Sequence, residues 1–152
     1  VADTTYVPTR EGWLYLVSVM DLCNRQVVGW AMGEHHDAAL ATSALDMAIL
    51  RRRPDEGLIL HSDRGSEFAN FTFQARALKE KFQLSMSGTG NCYDNASAES
   101  FFATLKLEAV QGEVFATREA ARRALFDFIE VFYNRQRLHS GLDYVSPARH
   151  AA

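Results

Sequence analysis

Cysteine, long apolar runs and an excess of positive charge are all missing from this chain, and each shortage removes a class of protein. Two cysteines, Cys23 and Cys92, occur in 152 residues, too few for a disulfide framework and without the paired spacing of a metal site. Reduced thiols are expected. The longest apolar run, Trp13 to Met20, contains Ser18 and is too short to span a bilayer, and no basic-then-apolar leader opens the sequence. A soluble, cytoplasmic protein with no membrane partner is expected. Lys and Arg total 16 against 19 Asp and Glu, for a net charge of −3. That balance argues against coating nucleic acid by bulk charge, but leaves open DNA binding at a local site.

What is present is a core-forming composition, 47% hydrophobic and 23% charged, enough for one globular domain over residues 1–152. Acids concentrate early: residues 1–100 hold 13 Asp and Glu against 9 Lys and Arg, and residues 101–152 hold 6 against 7. Clustered carboxylates repel phosphate until cations occupy them, so this distribution suits metal-dependent phosphodiester chemistry, and an ordinary mildly acidic cytosolic protein explains it equally well.

Read in order, Asp3 to Val7, Trp13 to Met20 and Gln26 to Met32 are strands separated by turns at Thr9–Gly12 and Asp21–Arg25, an antiparallel meander. Asp37 is positioned to cap a helix whose apolar residues Leu40, Ala41, Ala44, Leu45, Ala48 and Ile49 recur at helical spacing. Arg51, Arg52, Arg53 and Pro54 end it. Cations suit a helix C-terminus, so the triplet reads as a stop signal rather than a DNA patch. A short strand, Leu58 to Ser62, leads to Asp63. A helix with Phe71, Ala75, Leu78 and Phe82 inward, capped by Thr72, precedes a strand from Gln83 to Ser87. The Gly88–Gly90 segment reads as a loop, followed by a helix bearing Glu99 and interrupted at Gly112. Thr117 caps a last helix with Ala121, Ala124, Leu125, Phe128, Ile129 and Phe132 as its stripe. The order is βββαβαβαα, an α/β fold.

Glu99 stands out as a lone carboxylate among small, apolar and hydroxyl neighbours. At 3.6 residues per turn, Asn95, Glu99, Phe102 and Lys106 share one stripe. Thirty-five residues separate Glu99 from Asp63, which lies within His61–Phe68 (HSDRGSEF), and Asp3 lies near the start. Three separated acids, each at an element end or helix start, are the ligand set that hard divalent cations require. Asp21, also acidic at a strand end, reads as a turn residue.

Four segments in sequence carry a resemblance: Asp3–Thr9 (DTTYVPT), His61–Phe68, Gly90–Lys106 (GNCYDNASAESFFATLK) and Tyr133–Pro147 (YNRQRLHSGLDYVSP). Together they resemble the integrase-type catalytic core of bacterial insertion-sequence transposases, relatives of retroviral integrases. The resemblance implies an RNase H-like mixed five-stranded sheet with helices on both faces. It also implies an Asp-Asp-Glu triad of Asp3, Asp63 and Glu99 holding two Mg²⁺ ions, with Mn²⁺ as substitute. The implied enzyme cleaves DNA and transfers the freed 3′-end, as a homo-oligomer that brings element ends and target together. It further implies a core belonging to a longer protein, because the N-terminal helix-turn-helix region of such transposases is not within residues 1–152.

Lys106 becomes a candidate phosphate contact, with Arg64, Arg135, Arg137 and His139 as further DNA-binding candidates; each also reads as a solvated surface side chain. His61 fits either a hydrogen bond supporting Asp63 or simple packing. Two other functions stay open at this point: an RNase H-like nuclease or junction resolvase that cuts without joining, and a silent DNA-binding domain.

Overall fold

The computed structural model describes residues 1–86 and 96–135. Three strands, β1 (Ala2–Thr9), β2 (Gly12–Met20) and β3 (Val27–Gly33), form an antiparallel meander. Gly12 closes the first turn at φ +120°, a conformation that favours glycine, and the Thr9 hydroxyl donates to its carbonyl at 2.6 Å. Asp21 closes the second turn: its carboxylate accepts from the Cys23 amide at 2.8 Å. A pair of parallel strands, β4 (Ile59–Ser62) and β5 (Gln83–Met86), follows. Hydrogen bonding therefore divides the strands three and two instead of joining five in one ladder. Residues of β4 nevertheless approach β1 to within 8 Å, Cα to Cα.

Helices cover both faces of the meander, as strand alternation dictates. On one face, Ala2, Val17, Val19 and Val28 pack with α1 (Ala38–Arg52), α2 (Ser66–Ala69) and α3 (Phe71–Lys79). On the other, Val7, Leu14, Leu16, Met20 and Val27 pack with α4 (Ala96–Leu105) and α5 (Arg118–Phe126). Helix α1 starts where Asp37 accepts from the Leu40 amide at 3.0 Å and stops at Arg53, whose backbone is left-handed at φ 43°. The arginine triplet works as a helix end: Arg51 meets Glu130 at 2.7 Å, and Arg52 lies 3.6 Å from Asp21. Gly29 lets α1 lie directly on β3, since a Cβ there would stand 2.2 Å from the Ala44 carbonyl oxygen.

Two expected helix faces are corrected. Asn70, not Thr72, caps α3, accepting from the Thr72 amide at 2.8 Å. Phe73 and Ala77 point inward, while Phe71 and Leu78 are exposed; Phe82, past the helix end, is buried as expected. Both sets repeat at helical spacing, and the short α2 decides the phase by turning Phe68 inward against Phe73, ring centroids 5.2 Å apart. Helix α5 continues as a π-helical segment, Asp127–Tyr133. Its wider turn moves the inward position one residue on, so Tyr133 is buried and Phe132 is exposed. A second π-helical segment, Lys106–Val110, extends α4. Just beyond the π-helical end of α5, Asn134 is buried, accepting from the Val27 amide at 2.9 Å and donating to its carbonyl at 3.0 Å.

Candidate active site

Asp3 sits on the β1 face that looks toward α4, half-buried, its Oδ1 held by the Thr4 amide at 2.8 Å. Its carboxyl is pushed up from 3.8 to about 6. Burial is the main cause; the Thr4 amide works against it, and the negative charges of Asp63, Glu99 and Glu67 add to it. Acids from two distant parts of the chain therefore lie close enough to Asp3 for their charges to act on it. Asp63 arrives because β4 ends beside β1, and its Oδ1 is fixed by the Gly65 amide at 2.7 Å. Glu99 arrives on the first turn of α4, which Ala98, Phe101, Phe102 and Leu105 anchor in the core.

Sequence reading assigned no role to Glu67, although it lies in the same HSDRGSEF block as Asp63. Its carboxylate is buried and accepts from the Thr4 hydroxyl at 2.9 Å. A Cβ on Gly65 would stand 2.8 Å from Glu67 Oε2 and 2.9 Å from Asp63 Oδ1, so this glycine separates two carboxylates with no room for a side chain. Only burial reveals Glu67, and an acid four residues after Asp63 carries no such label in the sequence. Among the described residues, no three His, Cys, Asp or Glu side chains are gathered closely enough to grip one ion. Repulsion between like-charged carboxylates favours such an open arrangement.

An integrase core domain model matches residues 1–92, and a second integrase core domain model matches residues 99–151. The chain belongs to the integrase core domain family. This integrase core is 46% identical over 145 residues to the transposase InsF of insertion sequence IS3A from Escherichia coli K12, covering 95% of the chain and 50% of that protein. It is 47% identical over 148 residues to a 31 kDa protein of insertion element IS600 from Shigella sonnei, covering 97% of the chain and 54% of that protein. The chain thus spans about half the length of the curated relatives it matches.

Among solved structures, the integrase core superposes on a chain of the simian T-cell lymphotropic virus intasome in complex with the PP2A regulatory subunit B56 gamma. The TM-score is 0.79 at 15% identity, covering 99% of this chain and 53% of that one. It also superposes on the HTLV-2 integrase catalytic core domain in complex with magnesium, in a trimeric form, with a TM-score of 0.72 at 15% identity over 99% of this chain and 93% of that one. At those identities the likeness is one of fold: a mixed α/β core with helices packed on its strands.

Of the basic candidates in the integrase core, Lys106, Arg64 and Arg135 fall among the described residues. Lys106 is exposed just beyond α4, its Nζ 5.4 Å from the centre of the Tyr6 ring. Glu99 and Lys106 both face solvent, but Phe102 between them is buried, so the expected common stripe is only partly polar; Asn95 lies outside the described residues. Arg64 and Arg135 are exposed, and Arg137 and His139 lie outside the described residues, as do Cys92 and the Gly88–Gly90 segment. His61 reaches sideways to the neighbouring strand, with Nδ1 2.8 Å from the Ser85 hydroxyl. Among the described residues no helix is long and apolar enough to cross a membrane.

Proposed function

We propose that residues 1–152 are the catalytic core of an insertion-sequence DDE transposase, a polynucleotidyl transferase that cleaves a DNA strand and joins the freed 3′-hydroxyl to a second phosphodiester. The observation that carries this reading is the match to integrase core domain models over residues 1–92 and 99–151, with 46% identity to the transposase InsF of IS3A; the half-buried Asp3, with Asp63, Glu99 and Glu67 near enough for their charges to act on it, supports it. An all-oxygen donor set suits Mg²⁺ and Mn²⁺, and a cation would relieve the repulsion among carboxylates near Asp3. The donor chemistry of Asp3, Asp63 and Glu99 fits such ions, and binding them would draw together carboxylates that stand apart among the described residues.

In this reading Asp3, Asp63 and Glu99 hold two Mg²⁺ ions. When bound, such ions activate the attacking oxygen and stabilise the departing one during in-line displacement at phosphorus. The chain's own residues set the geometry. The Thr4 and Gly65 amides orient Asp3 and Asp63, and the apolar anchor of α4 sets the approach of Glu99. No protein nucleophile takes part, so each bond broken is replaced by one of the same kind and no external energy source is required.

Arg64, Lys106, Arg135, Arg137 and His139 are proposed contacts to the DNA backbone. The partners are the element ends and target DNA, held by a homo-oligomer at the nucleoid in the cytoplasm. The finer architecture we infer is the RNase H-like one, with β4 and β5 continuing the three-stranded meander into a single five-stranded layer; the approach of β4 to β1 supports it.

The test is Glu99→Gln, assayed with a pre-cleaved duplex carrying a 3′-hydroxyl. The variant is expected to unfold at the wild-type temperature and to lose Mg²⁺-dependent cleavage and joining. Wild-type-like strand transfer in the variant would end the assignment, and cleavage without joining by the wild type would make the chain a nuclease.

A further inference from the structure

Helix α1 covers only part of its face of the meander. Ala2, Val17 and Val19 pack with it, whereas toward the β1–β2 turn the register sets Tyr6 opposite Tyr15 and Pro8 opposite Trp13, beside the first residues of α2. Tyr6 and Trp13 stay 51% and 48% exposed. The rings adjoin: centroids lie 4.8 Å apart for Tyr6 and Trp13, 6.1 Å for Tyr6 and Tyr15, and 4.7 Å for Tyr15 and His36. With Thr4, Gly65 and Glu67 they line an open groove of about 430 Å³, within the size range of small-ligand clefts.

We propose that this groove stacks an unpaired nucleobase of the DNA substrate, with Trp13 and Tyr15 supplying the ring faces. The inference rests on the transposase reading and extends it to a site for a base, distinct from the phosphate chemistry. Continuity is the first support. Thr4 and Gly65 line the groove while their backbone amides hold Asp3 and Asp63, and Glu67 of the lining is close enough for its charge to act on Asp3, so the groove adjoins the acids across β1.

Charge is the second support. Among the described residues the lining contains no Lys or Arg, and Glu67 is its one carboxylate. Such a lining repels phosphate and acidic peptides, and favours a flat, uncharged group whose N–H bonds can donate to Glu67. The cations lie outside the lining: Lys106 Nζ is 5.4 Å from the centre of the Tyr6 ring, and Arg118 Nε donates to the Trp13 carbonyl at 3.1 Å. Aromatic stacking of this kind tolerates any base, because every base presents a π-face.

Two duplexes of one sequence test the proposal, one blunt and one with a short 3′ overhang containing 2-aminopurine, both titrated at fixed salt with Ca²⁺ present. Wild-type protein is expected to quench the overhang fluorophore and to bind the overhang duplex more tightly than the blunt one. Trp13→Ala should weaken overhang binding about five- to a hundredfold, as loss of one stacked base predicts, and leave blunt binding within about twofold. Trp13→Phe should retain most of the preference. Folding is checked by thermal unfolding; the Trp13 carbonyl, which accepts from Arg118 Nε at 3.1 Å, survives both substitutions.

An unchanged overhang-to-blunt ratio in Trp13→Ala, or no quenching by wild type, overturns the groove. A parallel strand-transfer assay separates the two readings. If wild type joins pre-cleaved ends while the ratio does not move, only the groove falls; if it neither joins ends nor binds either duplex, both fall.

Discussion

Asp3→Asn should make the metal-free protein more stable while removing its strand transfer. The native carboxyl ionises at about 6, against 3.8 ordinarily. Because the folded value lies above the unfolded one, the folded protein holds the proton more tightly. Stability is therefore greatest below pH ~4, declines as the pH rises through about 6, and is level beyond it. Each pH unit between the two values corresponds to about 1.4 kcal/mol, which sets a ceiling of about 3 kcal/mol. Asp3 is only partly buried, and solvent screening reduces this to about 1–2 kcal/mol. An Asn side chain keeps an oxygen for the Thr4 amide, which now sits 2.8 Å from Asp3 Oδ1, and carries no charge. The variant should melt about 2–8 °C higher at pH 7.5 in chelator. The advantage should shrink steadily toward pH 4. Adding Mg²⁺ should reverse it, since a ligand stabilises only the form that binds it. Thermal unfolding followed by circular dichroism from pH 4 to pH 8 measures all three effects. A variant that melts below wild type at pH 7.5, or a difference that ignores pH, would refute the electrostatic account of the site.

Lys106→Ala should flatten the dependence of log K on log salt by about 0.9, the loss of one phosphate contact, in a binding titration across salt concentrations. An unchanged slope would leave Lys106 with its Tyr6 contact alone. Asn134→Ala should destabilise the protein by about 2–5 kcal/mol, because it strands both the amide and the carbonyl of Val27 in a buried setting. Urea unfolding should show a lower midpoint at constant slope, and a loss under 1 kcal/mol would show that water satisfies those groups.

The meander was legible because its strands alternate and its turns carry Asp21 and Gly12, each with a local hydrogen-bonding or conformational reason to be there. Helix α1 was equally plain, since Asp37 caps it and the arginines close it. What escaped was phase. Phe71 and Phe73 both begin plausible stripes, and the choice between them depends on Phe68 in α2, four residues long and too short for any periodicity. Phe132 and Tyr133 were exchanged because the π-helical turn departs from the 3.6-residue repeat, and no local residue announces it. At the site, Asp3, Asp63 and Glu99 stood out through their surrounding blocks. Glu67 could not, because its significance lies in burial beside Asp63 and in its bond to Thr4, both products of tertiary contact.

The Asn134 side chain has a wider effect than its two hydrogen bonds suggest. At Val27 the primary amide uses one N–H donor and its carbonyl acceptor, the same pair that a peptide unit of an adjoining strand would present. At Val27 it imitates one rung of a fourth strand on the open margin of β3, using a residue 107 positions away. An intruding chain that sought to extend the sheet from that margin would find its first rung already taken, which guards against edge-to-edge aggregation. The meander is closed at that corner by a single side chain.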